Sequence, residues 1–178
     1  IMAFIYIKGN PIDSILSTYD HRDFTLVERL LTQPSIVLYY ISLLFFPHPS
    51  RLNLDYNFSL SQGILTPPST GLAILAIAIL LGGAIIAARK HRLISFAVLW
   101  FFGNLLLESS FIALELIYEH RTYLPSTFPI IAISALIVNV RPRLLSLITA
   151  LTLVCLLCIG TYQRNKVWRS ALSLWTDN

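Results

Sequence analysis

The sequence predicts an all-α fold, a polytopic helical bundle in a membrane with four full spans and an outer helix that is interfacial or re-entrant. Three observations predict it. Hydrophobic residues fill 56% of the 178 positions, 12% are charged, and the mean hydropathy is +0.70, a balance foreign to soluble domains. The apolar residues gather into long uninterrupted stretches. The charges fall between those stretches, and two short connections are purely basic.

Residues 1–9 read as the end of a preceding transmembrane helix. The chain opens on Ile1 with no basic leader before an apolar core, and 174–178 stop inside a helical pattern. A stretch of a longer protein is therefore expected, with no signal peptide visible. Residues 10–71 form an outer loop that carries Asp13, Asp20, Asp23, Glu28, Asp55, several prolines and one apolar run, 35–46. That run has twelve residues, too few to cross hydrocarbon comfortably, which favours an interfacial or re-entrant helix. A full span starting near Leu30 is the rival. Tyr39, Tyr40, Phe45 and Phe46 suit headgroup depth in either case.

Residues 72–163 hold the four spans. The first, 72–88, is uncharged for 17 residues and ends in Arg89, Lys90 and Arg92. Ala78, Gly82 and Ala87 fall at near-helical spacing and are expected to allow close helix contact. A second span over 93–107 returns outward and continues past Glu108 towards Glu119. Pro125 suits the first turn of a third span, which runs to Val140, because a missing amide hydrogen is harmless there. Arg141-Pro142-Arg143 makes the next turn, and 144–163 form the fourth span. From Arg164, the apolar positions Val167, Trp168, Ala171, Leu172 and Trp175 recur at helical spacing, so 164–178 is expected to begin an outer soluble helical domain.

The net charge of +4 matters less than its placement. Arg89, Lys90, Arg92, Arg141 and Arg143 occupy two connections without an acid, which marks the cytoplasmic side. All nine carboxylates then belong to the opposite side, and chemistry that needs a carboxylate belongs there too. Cys155 and Cys158 match a CxxC spacing but sit in an apolar run, where they read as buried small apolar residues. His21, His48, His91 and His120 have no ligand spacing, so no metal site is expected. No nucleotide loop, nucleophile elbow or basic surface interleaved with aromatics is present, which excludes nucleic acid as a partner.

If the helix through Glu108 stays regular to Glu119, offsets of 7 and 11 residues bring Glu115 and Glu119 within about 20° of Glu108 at roughly 100° per residue. Such an acid stripe belongs in a polar cavity near the outer surface. The bland alternative is that these acids pair with Arg22, Arg29 or Arg51 and anchor the outer loop. Arg121 has a donor fork suited to phosphate, and His120 adds a donor that titrates near neutral pH. Together they are expected to hold a lipid phosphate, against the plainer role of interfacial anchors. Tyr123 is either a ligand contact or an aromatic belt position. Arg29 is a second phosphate candidate, with Glu28 as a local neutraliser. Asn57-Phe58-Ser59 fits a glycosylation acceptor pattern.

The segments Glu28-Arg29-Leu30-Leu31-Thr32-Gln33, Leu107-Glu108-Ser109-Ser110-Phe111-Ile112-Ala113-Leu114-Glu115 and 119–126, with Trp168 and Trp175, carry a family likeness. The chain resembles the membrane portion of transmembrane and tetratricopeptide-repeat-containing glycosyltransferases, bacterial branch, over roughly residues 25–178. The resemblance implies a GT-C-type fold, a polyprenyl-phosphate sugar as donor substrate, a protein acceptor and transfer on the outer face. It also implies a bacterial inner membrane, with the outer loop and the C-terminal helix in the periplasm. In that family an essential acid lies in the first outer loop, near the true start of the chain. No carboxylate here inherits that role, the catalytic residues stay unassigned, and this stretch alone is expected not to transfer sugar. Arg29, Glu108, Glu115, Glu119, His120, Arg121 and Tyr123 are the expected substrate-binding residues. A non-catalytic membrane subunit that assembles partners within a larger complex is the alternative; a transporter fits less well, since the acids cluster at one face.

Overall fold

The computed structural model describes residues 17–52, 56, 58–112, 114–170 and 173. Five α-helices organise them: α1 (Leu26–Phe45), α2 (Pro68–Ala87), α3 (Arg92–Glu108), α4 (Tyr123–Val138) and α5 (Arg143–Val167). Short 3-10 turns stand at Thr18–His21, Pro49–Arg51 and Glu119–Thr122. No strand forms among the described residues. The expected tail of an earlier span at 1–9 lies outside them, as do Asp13, Asp55, Asn57, Ala171, Leu172 and Trp175.

Three segments are long and apolar enough to cross a membrane: Pro68–Ala87, Glu119–Val138 and Arg143–Val167. They make the chain an integral membrane protein. The fourth expected span corresponds to α3, which is apolar over Arg92–Leu106 but shorter, 17 residues in all. At 1.5 Å per residue it extends about 25 Å, against a hydrocarbon core of about 30 Å.

The helices α1, α2, α3 and α4 form the packed body, with α3 against both α4 and α2, and α2 also against α1. An aromatic group ties α3 to α4: Phe128 meets Phe96 and Trp100 edge-on at 4.7 and 4.8 Å, and Trp100 Nε1 donates to Leu124 O at 3.0 Å. Edge-to-face pairs of this kind add about 1 kcal/mol each beyond area burial. The small-residue positions of α2 do something other than expected. A Cβ on Gly82 would meet nothing within 4 Å, so Gly82 faces open space and the residues α2 buries are Thr70, Ala73 and Ala84. Gly71 is the glycine that a contact requires, since a Cβ there would stand 3.0 Å from Ile64 O.

The helix α1 starts nine residues before the apolar run that announced it. Thr25 and Glu28 build a reciprocal capping box: Glu28 N donates to Thr25 Oγ1 at 3.3 Å, and Thr25 N donates to Glu28 Oε2 at 2.9 Å. Two donors that a helix start leaves orphaned are thereby satisfied. Pro34 sits inside α1 and removes one ladder donor. Successive turns of α1 rest on the 108–118 segment: Arg29 reaches Glu108 O, Gln33 reaches Leu116 O, and Tyr40 accepts from Tyr118 N. Just past its end, Arg51 O accepts from Tyr39 Oη at 2.7 Å. These partners all lie at the acid-rich end of the bundle, so α1 lies along that end beside 109–118. Its apolar face contributes Ile36, Val37, Tyr40 and Leu43 to a core completed by Phe101, Leu105 and Ile117.

The last helix is a partial exception to packing. None of the residues in α5 is buried, and it touches α4 and the Pro49–Arg51 turn. Cys155 and Cys158 are accordingly exposed free thiols, where burial was expected. They are apolar surface on a helix whose sides the chain leaves uncovered. The helix also continues through Arg164 to Val167, so the expected boundary at 164 is not a break in the backbone.

Candidate functional site

The decisive local event is the end of α3. The helix stops at Glu108 and the cap amide, Ser109 N, donates to Leu105 O at 2.8 Å. Residues 109–112 and 114–118 then run without α-helix. The expected stripe of Glu108, Glu115 and Glu119 on one helical face therefore does not form. What replaces it is built around Arg29, which has no exposed surface. Its Nε donates to Ser110 O at 3.0 Å, its Nη2 to Glu108 O at 2.9 Å, and its Nη1 to Leu114 O. The planar fork thus collects three carbonyls that the broken helix would otherwise leave bare. Burial lowers the Arg29 pKa and nearby Tyr19 counters part of that, yet a guanidinium stays charged. Arg29 is a buried tie, and the expectation that it meets a lipid phosphate gives way to its enclosure.

The remaining expected residues separate into two groups. Glu115 forms an ion pair with Arg22, which is the loop-anchoring alternative. Arg121 turns inward: Nη1 donates to Glu115 O at 2.7 Å, Nε lies 3.6 Å from Glu108 Oε2, and the guanidinium sits 5.1 Å from the Tyr118 ring centre. Its side chain is 7% exposed. Glu108 Oε2 is buried and makes no hydrogen bond, so the 3.6 Å ion pair is its only compensation among the described residues. Glu108, Glu115 and Arg121 consequently brace the 109–118 segment.

Glu119, His120 and Tyr123 form the second group, at the rim of an open groove of about 570 Å³ between α1, α3, α4 and α5. Its wall is apolar, from Leu43, Leu44, Phe101, Ile130 and Leu157, and its rim adds Thr122 and Ser126. The Glu119 carboxylate is 2.5 Å from the Tyr56 hydroxyl. The His120 ring lies 5.1 Å from Tyr118, and its nitrogens make no hydrogen bond or ion pair among the described residues. Tyr123 is 84% exposed. Tyr40 closes the floor, and burial raises its pKa so that the phenol stays neutral, although donation from Tyr118 N works the other way. A smaller apolar cleft of about 340 Å³ lies beside it between Phe45–Pro49 of the loop and α5, and the two share Pro47 and Leu157.

The sequence reading missed Tyr19, Gln33 and Tyr40 as partners of the 109–118 segment. A signal was present for two of them: Arg29, Gln33 and Tyr40 recur on one face of α1, and polar groups there imply buried partners. No group of histidine, cysteine or carboxylate side chains among the described residues is arranged to hold a metal ion. Comparison with protein-family models, with curated proteins and with solved structures finds no match.

Proposed function

We propose that this chain is the carrier-lipid-holding part of a membrane glycosyltransferase that uses a polyprenyl-phosphate sugar on the outer face. The observation that carries this reading is the groove: an apolar wall around about 570 Å³, with a rim of His120, Glu119, Thr122 and Ser126. An amphiphile with a phosphate head matches that division, because its carbon leaves water while its oxygens find donors. In this reading α3 crosses the membrane beside α2 and α4, α1 lies at the outer surface, and the basic turns face the cytoplasm. His120 meets the phosphate, Glu119 and Ser126 face the sugar, and Arg121 positions the segment behind them. The acceptor base is assigned to no residue here.

Saturable retention of radiolabelled polyprenyl phosphate by the chain in detergent micelles tests this. Ile130→Trp fills the groove and is expected to weaken binding about tenfold or more, as steric exclusion of a whole ligand segment does. His120→Ala is expected to weaken it less, because the apolar wall remains. Equal binding by Ile130→Trp and the parent chain would reject the groove as the lipid site. A specific observation favours a second reading, a non-catalytic membrane subunit: Arg29, Arg121, Glu108 and Glu115 all serve internal bracing. Absence of any saturable polyprenyl-phosphate binding would select it.

A further inference from the structure

The opposite end of the bundle carries a different kind of site. A cleft of about 280 Å³ opens between the start of α3 and the end of α4, with Lys90, His91 and Arg92 on one rim and Asn139 on the other. Its floor is Ala132 and Ala135, and the apolar flanks Leu93 and Leu136 are 41% and 56% exposed. The cationic side chains have no ion pair or hydrogen bond among the described residues. No Asp or Glu occurs between Asp55 and Glu108 or between Glu119 and Asp177. The nearest described carboxylates lie a full helix away, about 25 Å for α3, beyond the screening length of about 10 Å. Nothing in the described chain therefore neutralises these cations, and apolar surface continues directly from them along α3 and α4. Asn139 spends one donor on Ala135 O at 2.7 Å and keeps a second for a ligand oxygen.

We propose that this cleft binds the headgroup of an anionic phospholipid, with the phosphate between Lys90, Arg92 and Asn139 and the first acyl carbons against Leu93 and Leu136. Charge complementarity selects the anion, and the adjoining apolar flank selects a lipid over a free ion. The inference does not depend on the glycosyltransferase reading.

Native mass spectrometry of the chain in micelles with equal phosphatidylglycerol and phosphatidylcholine tests it. The parent chain should retain phosphatidylglycerol preferentially. The double variant K90Q/R92Q should lose about tenfold or more of that preference, since each surface cation is worth about a fivefold effect. R89Q/R141Q removes two charges from the same end but outside the cleft lining, and should keep the preference. Equal losses in the two pairs would mean general attraction without a site and would overturn the proposal. So would displacement of the lipid by inorganic phosphate at the same concentration, or no preference in the parent chain.

Discussion

At the scale of single residues, Arg29 decides the shape of the outer end. Its guanidinium serves three carbonyls at once, and each buried carbonyl deprived of its donor costs about 1–3 kcal/mol. Replacing Arg29 by Met should therefore destabilise the chain by about 3 kcal/mol or more, within the range for breaking buried charged hydrogen bonds. Arg29→Lys should recover only part, because a point charge cannot reproduce the fork. Thermal denaturation in micelles, with proteolysis mapped over 109–118, would measure both. A melting temperature unchanged in Arg29→Met would show that the carbonyls find other donors. Residues of this sort are poorly legible in sequence. Arg29 stands beside Glu28 in a polar stretch, and nothing local distinguishes a buried cation from an interfacial one. The Arg22–Glu115 pair was legible as an alternative, because acids near an apolar boundary need a cation and the outer loop supplies few.

Among the elements, α1 depends most on its first turn. Thr25 accepts from Glu28 N, and hydrogen bonds from Thr25 lower the Glu28 pKa. A carboxylate whose folded pKa is depressed contributes stability above its ordinary range, and that contribution disappears as pH falls through the lowered value. Thr25→Ala should cost about 1 kcal/mol near neutral pH, as lost N-caps do, and the gap to the parent chain should narrow on acidification. Glu28→Gln should flatten the acid limb. Melting temperatures measured across the acid range would check both, and a gap that widens in acid would contradict the cap assignment. Helix existence was readable wherever length and apolar content agreed, as for α2, α4 and α5. The start of α1 lay hidden because its first turns bury the polar residues Arg29, Thr32 and Gln33 and expose Val27 and Leu30, the reverse of the usual amphipathic pattern. The end of α3 was equally hidden: Ser109 and Ser110 are weak breakers, and the break is held by a side chain 79 residues away, which no local window contains.

For the molecule as a whole, charge and apolar surface divide the bundle along its length. Described carboxylates sit at 20–28 and 108–119, the two short turns carry cations without a described acid, and α5 presents apolar side chains all round between Arg143 and Gln163. That exterior belongs in hydrocarbon, where an exposed Leu or Ile costs nothing. A nitroxide on Cys155, which lies near the middle of α5, should relax with lipid-soluble oxygen and ignore a water-soluble nickel complex. The opposite accessibility would place α5 in water. Membrane class and the direction of the charge gradient were legible because both are sums over many residues, whereas the groove was not: it is assembled from α1, α3, α4 and α5, and its apolar lining resembles any core stripe.

Leu157 and Pro47 belong to both outer clefts, and α5 is clasped on one flank alone. The two hollows accordingly have a common partition. Trimming Leu157 to alanine would therefore enlarge both chambers at one stroke, because the same side chain walls each of them.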